Sequence, residues 1–367
     1  MEQFRYYMPT EVFYGKDILK EKIDLLKVFG KKAFIITGKS SSKKNGSLDE
    51  IKKLMNEIGC KYLVFNEVEE NPSIDTVKKA GEIGRKENVD FIIGVGGGSP
   101  IDAAKGIGVY INNNNFQVED LFNGPRLESI PIIAIPTTAG TGTEVTPFAI
   151  FTDHRTKTKR NFFHKVFPRY AFLDAKYLET CPDEVTVNTS IDALSHLMEG
   201  YLNVNANIIS DSSAEKGFRL FSECKEELLE RKYSFEIREK LLLMSTLGGL
   251  VIAQCGTSLP HGMGYHLTYF HGVPHGKANG LVLEGYLKLC NETNKEKVKM
   301  FLLLTGFESV KEFGEYLIKL FGTEFKLGEE DIIKYAEAMS KNEMKLKNHP
   351  GKVDFEVLKN IYEVNLK

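Results

Sequence analysis

The chain has 367 residues, 42% of them apolar and 27% charged, with a formal net charge of −2. A balance this close to neutral excludes the broad basic field that gathers nucleic acid or anionic membranes, so a bound anion must be held by local groups. The length exceeds the commonest domain size of roughly 100–150 residues by enough to favour two domains over one.

The N-terminal MEQFRYYMPTEVFYG carries charges and aromatics where a signal peptide needs an apolar core. No run of about 18 apolar residues follows, so a cytoplasmic protein without a membrane partner is expected. KKAFIITG is short, β-branched and stopped by Gly38, and predicts a strand. SLDEIKKLMNEIG repeats apolar residues at Leu48, Ile51, Leu54, Met55 and Ile58, a helical stripe closed by Gly59. KYLVF reads as a strand, PSIDTVKKAGEIGRKE as a helix with proline at its start, and VDFIIGVGGGS as a strand running into glycines, with PIDAAKGIGVYI as the next helix. SIPIIAIPTTAGTGTEVTPFAIFTD adds a buried strand, a Gly/Thr turn and a further strand, and YAFLD closes the series. Strands that are apolar throughout and alternate with helices indicate a doubly wound, mainly parallel sheet covered on both faces.

Beyond Pro182 the strand-like runs stop. VNTSIDALSHLMEGYL, SDSSAEKGFRLFSECKEELLE, FEIREKLLLMSTLGGLVIAQC and the segments near the C-terminus keep a helical period. The organisation expected is an α/β dinucleotide-binding domain over residues 1–180 and an all-helical metal-binding domain over 181–367. Five widely spaced cysteines without C-x-x-C suggest neither a disulfide framework nor a thiolate zinc knuckle, in keeping with a reducing compartment.

Three stretches of the first half carry chemistry. GVGGGSPIDAAK places Gly96, Gly97, Gly98 and Ser99 after a strand and before a helix, where bare backbone and the positive helix end can hold a phosphate. It is not a G-x-G-x-x-G fingerprint, and a tight turn that binds nothing is the alternative. PTTAGTGTE follows another buried strand, and its hydroxyls at Thr137, Thr138, Thr141 and Thr143 suit a pyrophosphate and ribose at the same end of the sheet. TGKSSSKK offers Gly38, Lys39, Ser40, Lys43 and Lys44 and no acid. That composition admits a ribose 2′-phosphate, unless the loop is merely a solvated basic one.

In the second half Asp192 and His196 stand four apart on one helix face, and CGTSLPHGMGYHLTYFHGVPHGKANG holds four histidines. Asp192, His196, His261 and His275 together supply one carboxylate and three imidazoles, a full set of ligands for a borderline divalent metal.

GGGSPIDAAK, PTTAGTGTE, DALSH, a His-Gly helix start and PHG fourteen residues after that histidine resemble, in order and spacing, the iron-containing (group III) alcohol dehydrogenases of the dehydroquinate synthase-like fold. The resemblance covers nearly the whole chain. It implies Asp192, His196, His261 and His275 as ligands of Fe2+, with Zn2+ as the alternative. It implies that Gly96, Gly97, Gly98, Ser99, Asp102, Thr137, Thr138, Gly140, Thr141 and Lys159 bind cofactor. Gly38 stands where NAD-preferring members carry aspartate, so with Lys39 and Ser40 it favours NADP(H) over NAD(H). The activity implied is reversible hydride transfer between the nicotinamide and a small alcohol or aldehyde, in a homodimer or larger homo-oligomer. A zinc-dependent polyol dehydrogenase of the glycerol type and a catalytically silent metal- or nucleotide-binding protein are the competing readings. One position departs from the pattern: many members have histidine four residues after the ligand matching His261, and here it is Tyr265. Tyr265 and His271 are therefore the candidates for moving the substrate's proton.

Overall fold

The apolar runs of the first half become strands. The computed structural model describes residues 3–155, 158–322 and 325–367. The described residues form eight strands: β1 (Glu11–Tyr14), β2 (Lys32–Gly38), β3 (Lys61–Val68), β4 (Phe91–Gly96), β5 (Ile132–Pro136), β6 (Ile150–Asp153), β7 (Thr158–Asn161) and β8 (Tyr170–Leu173). Six make one sheet in the order β1-β8-β5-β4-β2-β3 with every pairing parallel, while β6 and β7 form a separate antiparallel hairpin. β1 escapes the pattern reading because it is four residues long and mostly exposed, so no apolar run announces it.

Three helices matter for position: α1 (Ser47–Glu57), α2 (Ile74–Lys86) and α3 (Gly98–Asn112). α2 begins two residues later than its proline suggests, because the Ser73 hydroxyl accepts from Thr76 N and makes Ser73 the cap. Ser41–Lys44 forms a single helical turn where the sequence reads as a loop. Phe34, Ile36, Val77, Ile92, Ala103, Ile107 and Phe151 fill the layer between sheet and helices. Each large apolar side chain so buried contributes about 1.5–3 kcal/mol. The chain leaves β2 toward β3 on one side of the sheet and leaves β4 toward β5 on the other, so the strand order reverses between β2 and β4. Ligands of open α/β sheets sit outside the strand ends at such a point.

The remaining chain is helical: α4 (Asp183–Tyr201), α5 (Ile208–Ser222), α6 (Phe235–Cys255), α7 (Leu259–His271), α8 (His275–Thr293), α9 (Glu329–Ser340), α10 (Glu343–Leu346) and α11 (Phe355–Leu366), with Lys225–Glu230, Lys295–Thr305 and Val310–Phe321 as further helices among them. The pattern at SDSSAEKGFRLFSECKEELLE breaks in two, Ile208–Ser222 and Lys225–Glu230. The described residues divide into a compact unit of Met8–Pro182 and another of residues 3–7 with Asp183–Lys367. The first residues join the helical unit because Tyr7 N and O exchange hydrogen bonds with the Gln254 amide of α6 at 3.1 and 2.9 Å. Among the described residues no single helix is long and apolar enough to cross a membrane.

Candidate metal centre and nucleotide turns

α4 packs against α6 and α8, and α7 against α8. Small residues permit the close crossings: a Cβ on Gly276 would collide with the Asn188 carbonyl of α4, and one on Gly248 would stand 3.2 Å from His196 Cβ. Asp192 and His196, one turn apart on α4, therefore face the beginnings of α7 and α8. α7 ends at Gly272 in the left-handed region (φ 66°), and Pro274 precedes His275 at the start of α8. This corner turns the chain back so that the first turn of α8 meets the first turn of α7.

The result is a buried convergence of lone pairs. His261 Nε2 lies 3.5 Å and His275 Nε2 3.7 Å from Asp192 Oδ1, and one donor atom from each of the three residues falls within 4.8 Å of the others. The His196 ring stacks on His261 at 4.6 Å between centroids, and His275 lies edge-on to His261 at 5.2 Å. Asp192, His196 and His261 are buried. Burial pushes the Asp192 carboxyl up, but His196, His275 and His261 outweigh it and hold the group well below the usual carboxylate range. Burial likewise pushes His261 down, and Glu199 and Asp192 overcome it to lift the imidazole to about 9.

Two residues that the sequence reading did not single out orient this set. Glu199, fully buried on α4, accepts from His261 Nδ1 at 2.5 Å and from Ser258 N at 2.6 Å. A proton held on Nδ1 directs Nε2 at Asp192 and His275, so this is the nitrogen that offers a lone pair once the ring is neutral, the arrangement by which carboxylates orient ligating imidazoles. Asn279, one turn after His275 and buried, directs its amide nitrogen at Asp192 Oδ1 (2.9 Å), His261 Nε2 (3.2 Å) and His275 Nε2 (3.3 Å). Three acceptors aimed at one spot, of one carboxylate and two imidazoles with a third ring alongside, fit a borderline divalent cation. Glu199 is seven residues after Asp192 on an apolar face and Asn279 four after His275, so helical spacing was the available signal.

Tyr265, one turn beyond His261, stacks on the His275 ring at 5.5 Å and 20°. His271 goes elsewhere. Its Nε2 is 2.8 Å from Tyr335 Oη and 3.8 Å from Asp331, and it sits ten residues along α7 from His261, about 15 Å by helical rise. His271 thus lies apart from the ligand cluster that Tyr265 borders.

At the switch point Gly96 ends β4 with φ 147°, where a Cβ would strike Pro100. Gly97 and Gly98 lead into α3, and their missing side chains are what let the second turn approach. A Cβ on Gly97 would stand 3.2 Å from Thr138 Oγ1, and one on Gly98 2.7 Å from Thr141 Cγ2. The two turns are thus brought together, with the buried Thr137 anchored by its N–H to Gly96 O at 2.8 Å. Gly140 lies in the same turn as Thr138 and Thr141. Asp102 is spent inside the protein, accepting from Thr143 Oγ1 at 2.6 Å and Ile150 N at 3.0 Å. Lys105 donates to Thr143 O, Thr143 Oγ1 and Phe148 O, so this pair braces the second turn. Burial raises Asp102 and lowers Lys105 to about 8.

Asn71 links two further expected residues: its N–H donates to Ser99 Oγ at 3.0 Å, and its Oδ1 accepts from Lys159 Nζ at 2.8 Å. Asn71 adopts φ 57° at the end of the β3 loop, and the Asn-Pro dipeptide was its sequence signal. Gly38 closes β2, where an added Cβ would make only ordinary contacts of 3.6 Å or more, and Lys39 and Ser40 are exposed beside it.

Residues 9–175 match the family described as iron-containing alcohol dehydrogenase, and residues 186–363 match the C-terminal domain of the same family. The NADPH-dependent butanol dehydrogenase of Clostridium saccharobutylicum is 31% identical over 300 residues, covering 80% of this chain and 76% of its own. The 1,3-propanediol dehydrogenase of Citrobacter freundii is 31% identical over 302 residues, 80% of this chain and 77% of its own. The solved iron-containing alcohol dehydrogenase of Thermotoga maritima superposes with a TM-score of 0.92 at 41% identity, covering 99% of each chain.

Proposed function

The chain belongs to the iron-containing alcohol dehydrogenase family, an NAD(P)-dependent family, and on that premise we propose that it interconverts a small alcohol and its aldehyde with NADP(H). The observation that carries the reading is the convergence of Asp192 Oδ1, His261 Nε2 and His275 Nε2, the first two residues buried and the third partly so. We propose that these three residues and His196 hold Fe2+, the family's metal, with Zn2+ as the alternative occupant of an N/O set. When bound, the cation supplies Lewis-acid polarisation of the alcohol or carbonyl oxygen, and the nicotinamide accepts or supplies the hydride.

The protein's own part is to bind and orient. Glu199 fixes the tautomer and direction of His261, and Asn279 keeps the acceptor atoms of three residues pointed inward. The backbone at Gly96, Gly97, Gly98 and Ser99, with Thr137, Thr138, Gly140 and Thr141, is proposed to cradle the pyrophosphate at the positive end of α3. Asp102 is proposed to serve the cofactor by bracing that second turn, and Lys159, held by Asn71, to reach the nicotinamide ribose. The absence of an acid at Gly38 and the cations at Lys39, Lys43 and Lys44 support a 2′-phosphate, hence NADP(H) over NAD(H). Tyr265 Oη is the atom proposed to take up and return the substrate's hydroxyl proton, since its ring stacks on His275 one turn from His261.

The test is a panel of short alcohols and aldehydes with protein of verified metal content, followed by nicotinamide absorbance with NADPH and with NADH. Turnover of aldehydes with a kcat/KM advantage for NADPH is expected, with iron in the active fraction by elemental analysis. Tight NADPH binding without turnover of any aldehyde in metal-loaded protein would overturn the reading in favour of a silent binder.

A further inference from the structure

Lys345 lies on α10, a single turn whose cap residue Asn342 accepts from Lys345 N at 3.3 Å. The segment is fastened to the start of α7, where Asn348 Nδ2 donates to Thr257 O at 2.9 Å. A lysine on so short a surface helix has the reach to place its ammonium in water. This one turns inward. Its stem passes α7 at Gly262, where an added Cβ would stand 3.2 Å from Lys345 Cγ. Its ammonium donates to Thr257 Oγ1 and lies 5.8 Å from the centre of the Tyr265 ring. Thr257 lies two residues before α7, and Gly262 and Tyr265 follow His261 along it, so the lysine meets the chain on both sides of that histidine in sequence.

The ammonium's hydrogen-bond partner is a neutral hydroxyl, and among the described residues Lys345 forms no salt bridge. The acid that influences it most is Glu199, and both Glu199 oxygens are already committed, one to His261 Nδ1 and the other to Ser258 N. Burial lowers Lys345 to about 8, with Glu199 opposing. A cation drawn from water without an anionic partner is costly, and the cost is recovered when a ligand brings the counter-charge.

We infer that Lys345 is a specificity-determining residue that receives the carboxylate of a short aliphatic substrate, so that the preferred pairs are ω-oxo acids and the matching ω-hydroxy acids. The inference rests on the dehydrogenase reading above and narrows its substrate class.

The experiment compares 4-oxobutanoate with butanal and 5-oxopentanoate with pentanal, using metal-loaded wild type, Lys345→Met and Lys345→Arg. A charge-assisted contact predicts a wild-type preference for the charged member of at least about tenfold in kcat/KM, expressed mainly in KM. Lys345→Met brings that ratio to about one, and Lys345→Arg keeps most of it. Butanoate raises the melting temperature of wild type and not of Lys345→Met, a readout that holds even if the variant turns over too slowly for a ratio. If Lys345→Met does not fold, Lys345→Gln takes its place in both measurements. Turnover of neutral aldehydes without preference for the charged ones overturns the inference and leaves the dehydrogenase reading intact. So does a preference or a butanoate shift that survives in the variant. If wild type of verified metal content reduces neither member of either pair, the dehydrogenase reading falls and the inference with it.

Discussion

At Gly97 and Gly98 the protein offers backbone, whereas at Asp192, His261 and His275 it offers side chains. The glycine turns proposed for the nucleotide depend on atoms being missing, which lets Thr138 and Thr141 close on the bare chain. The histidine pocket works because atoms are present and aimed, three acceptors on a spot that the Asn279 amide nitrogen meets at 2.9 to 3.3 Å. A backbone site is specified by a few consecutive residues and tolerates little added volume. A side-chain site is assembled from three helices and depends on whatever holds each ring in place.

If that contrast is right, damage to each region has its own signature. The largest effect is expected from His261→Ala: kcat/KM falls by about 10³-fold or more as several kcal/mol of polarisation are lost. Metal content by elemental analysis drops with it, while NADPH still binds by fluorescence titration. Retained turnover in a metal-quantified sample would break the contrast at its strongest point.

Proton competition comes next. In the metal-free protein His261 holds its proton up to about 9, so below that pH an entering cation must displace it. Affinity for Zn2+ or Co2+ therefore rises with pH, by up to about tenfold per unit below that value. NADPH affinity is expected to move less over pH 7 to 9. Calorimetric titration at several pH values checks both.

Glu199→Gln keeps the shape of the side chain and removes its charge. Losing such a partner weakens metal binding by about 10–100-fold, read in competition with a chelator. The smallest effect falls on the other region. Gly98→Val places atoms where Thr141 Cγ2 already stands 2.7 Å from a would-be Cβ. Overpacking of about 1–3 kcal/mol raises the Kd for NADPH by about tenfold, with metal content unchanged. Metal loss in that variant would erase the distinction between the two regions.

The two regions also differ in how far they can be read from sequence. The glycine and threonine turns are contiguous, and a strand before them and a helix after them already say where a phosphate is expected. Asp192 and His196 are legible as a helical pair, and His261 and His275 by their spacing to each other. Glu199 is not, because its partner His261 is 62 residues away and an acid in an apolar helix reads as a surface residue. Lys345, tied to Thr257 across 88 positions, escapes for the same reason, and Asn71, tied to Lys159 across another 88, gives only the turn signal of its Asn-Pro dipeptide. His271 is the converse case. It belongs to the same histidine-rich stretch as His261, yet ten residues of helix carry it to Tyr335 instead.

Taken alone, the sequence determined the alternation of strand and helix, the place of the glycine turns and the residue types able to hold a cation, since these follow from short-range periodicity and composition. Only the tertiary structure decided which histidines meet, that Glu199 and Asn279 orient them, and that Lys345 turns inward against α7. Those outcomes depend on where helices cross and turn back, and glycines at the crossings and at the α7–α8 corner set that at distances no local pattern encodes.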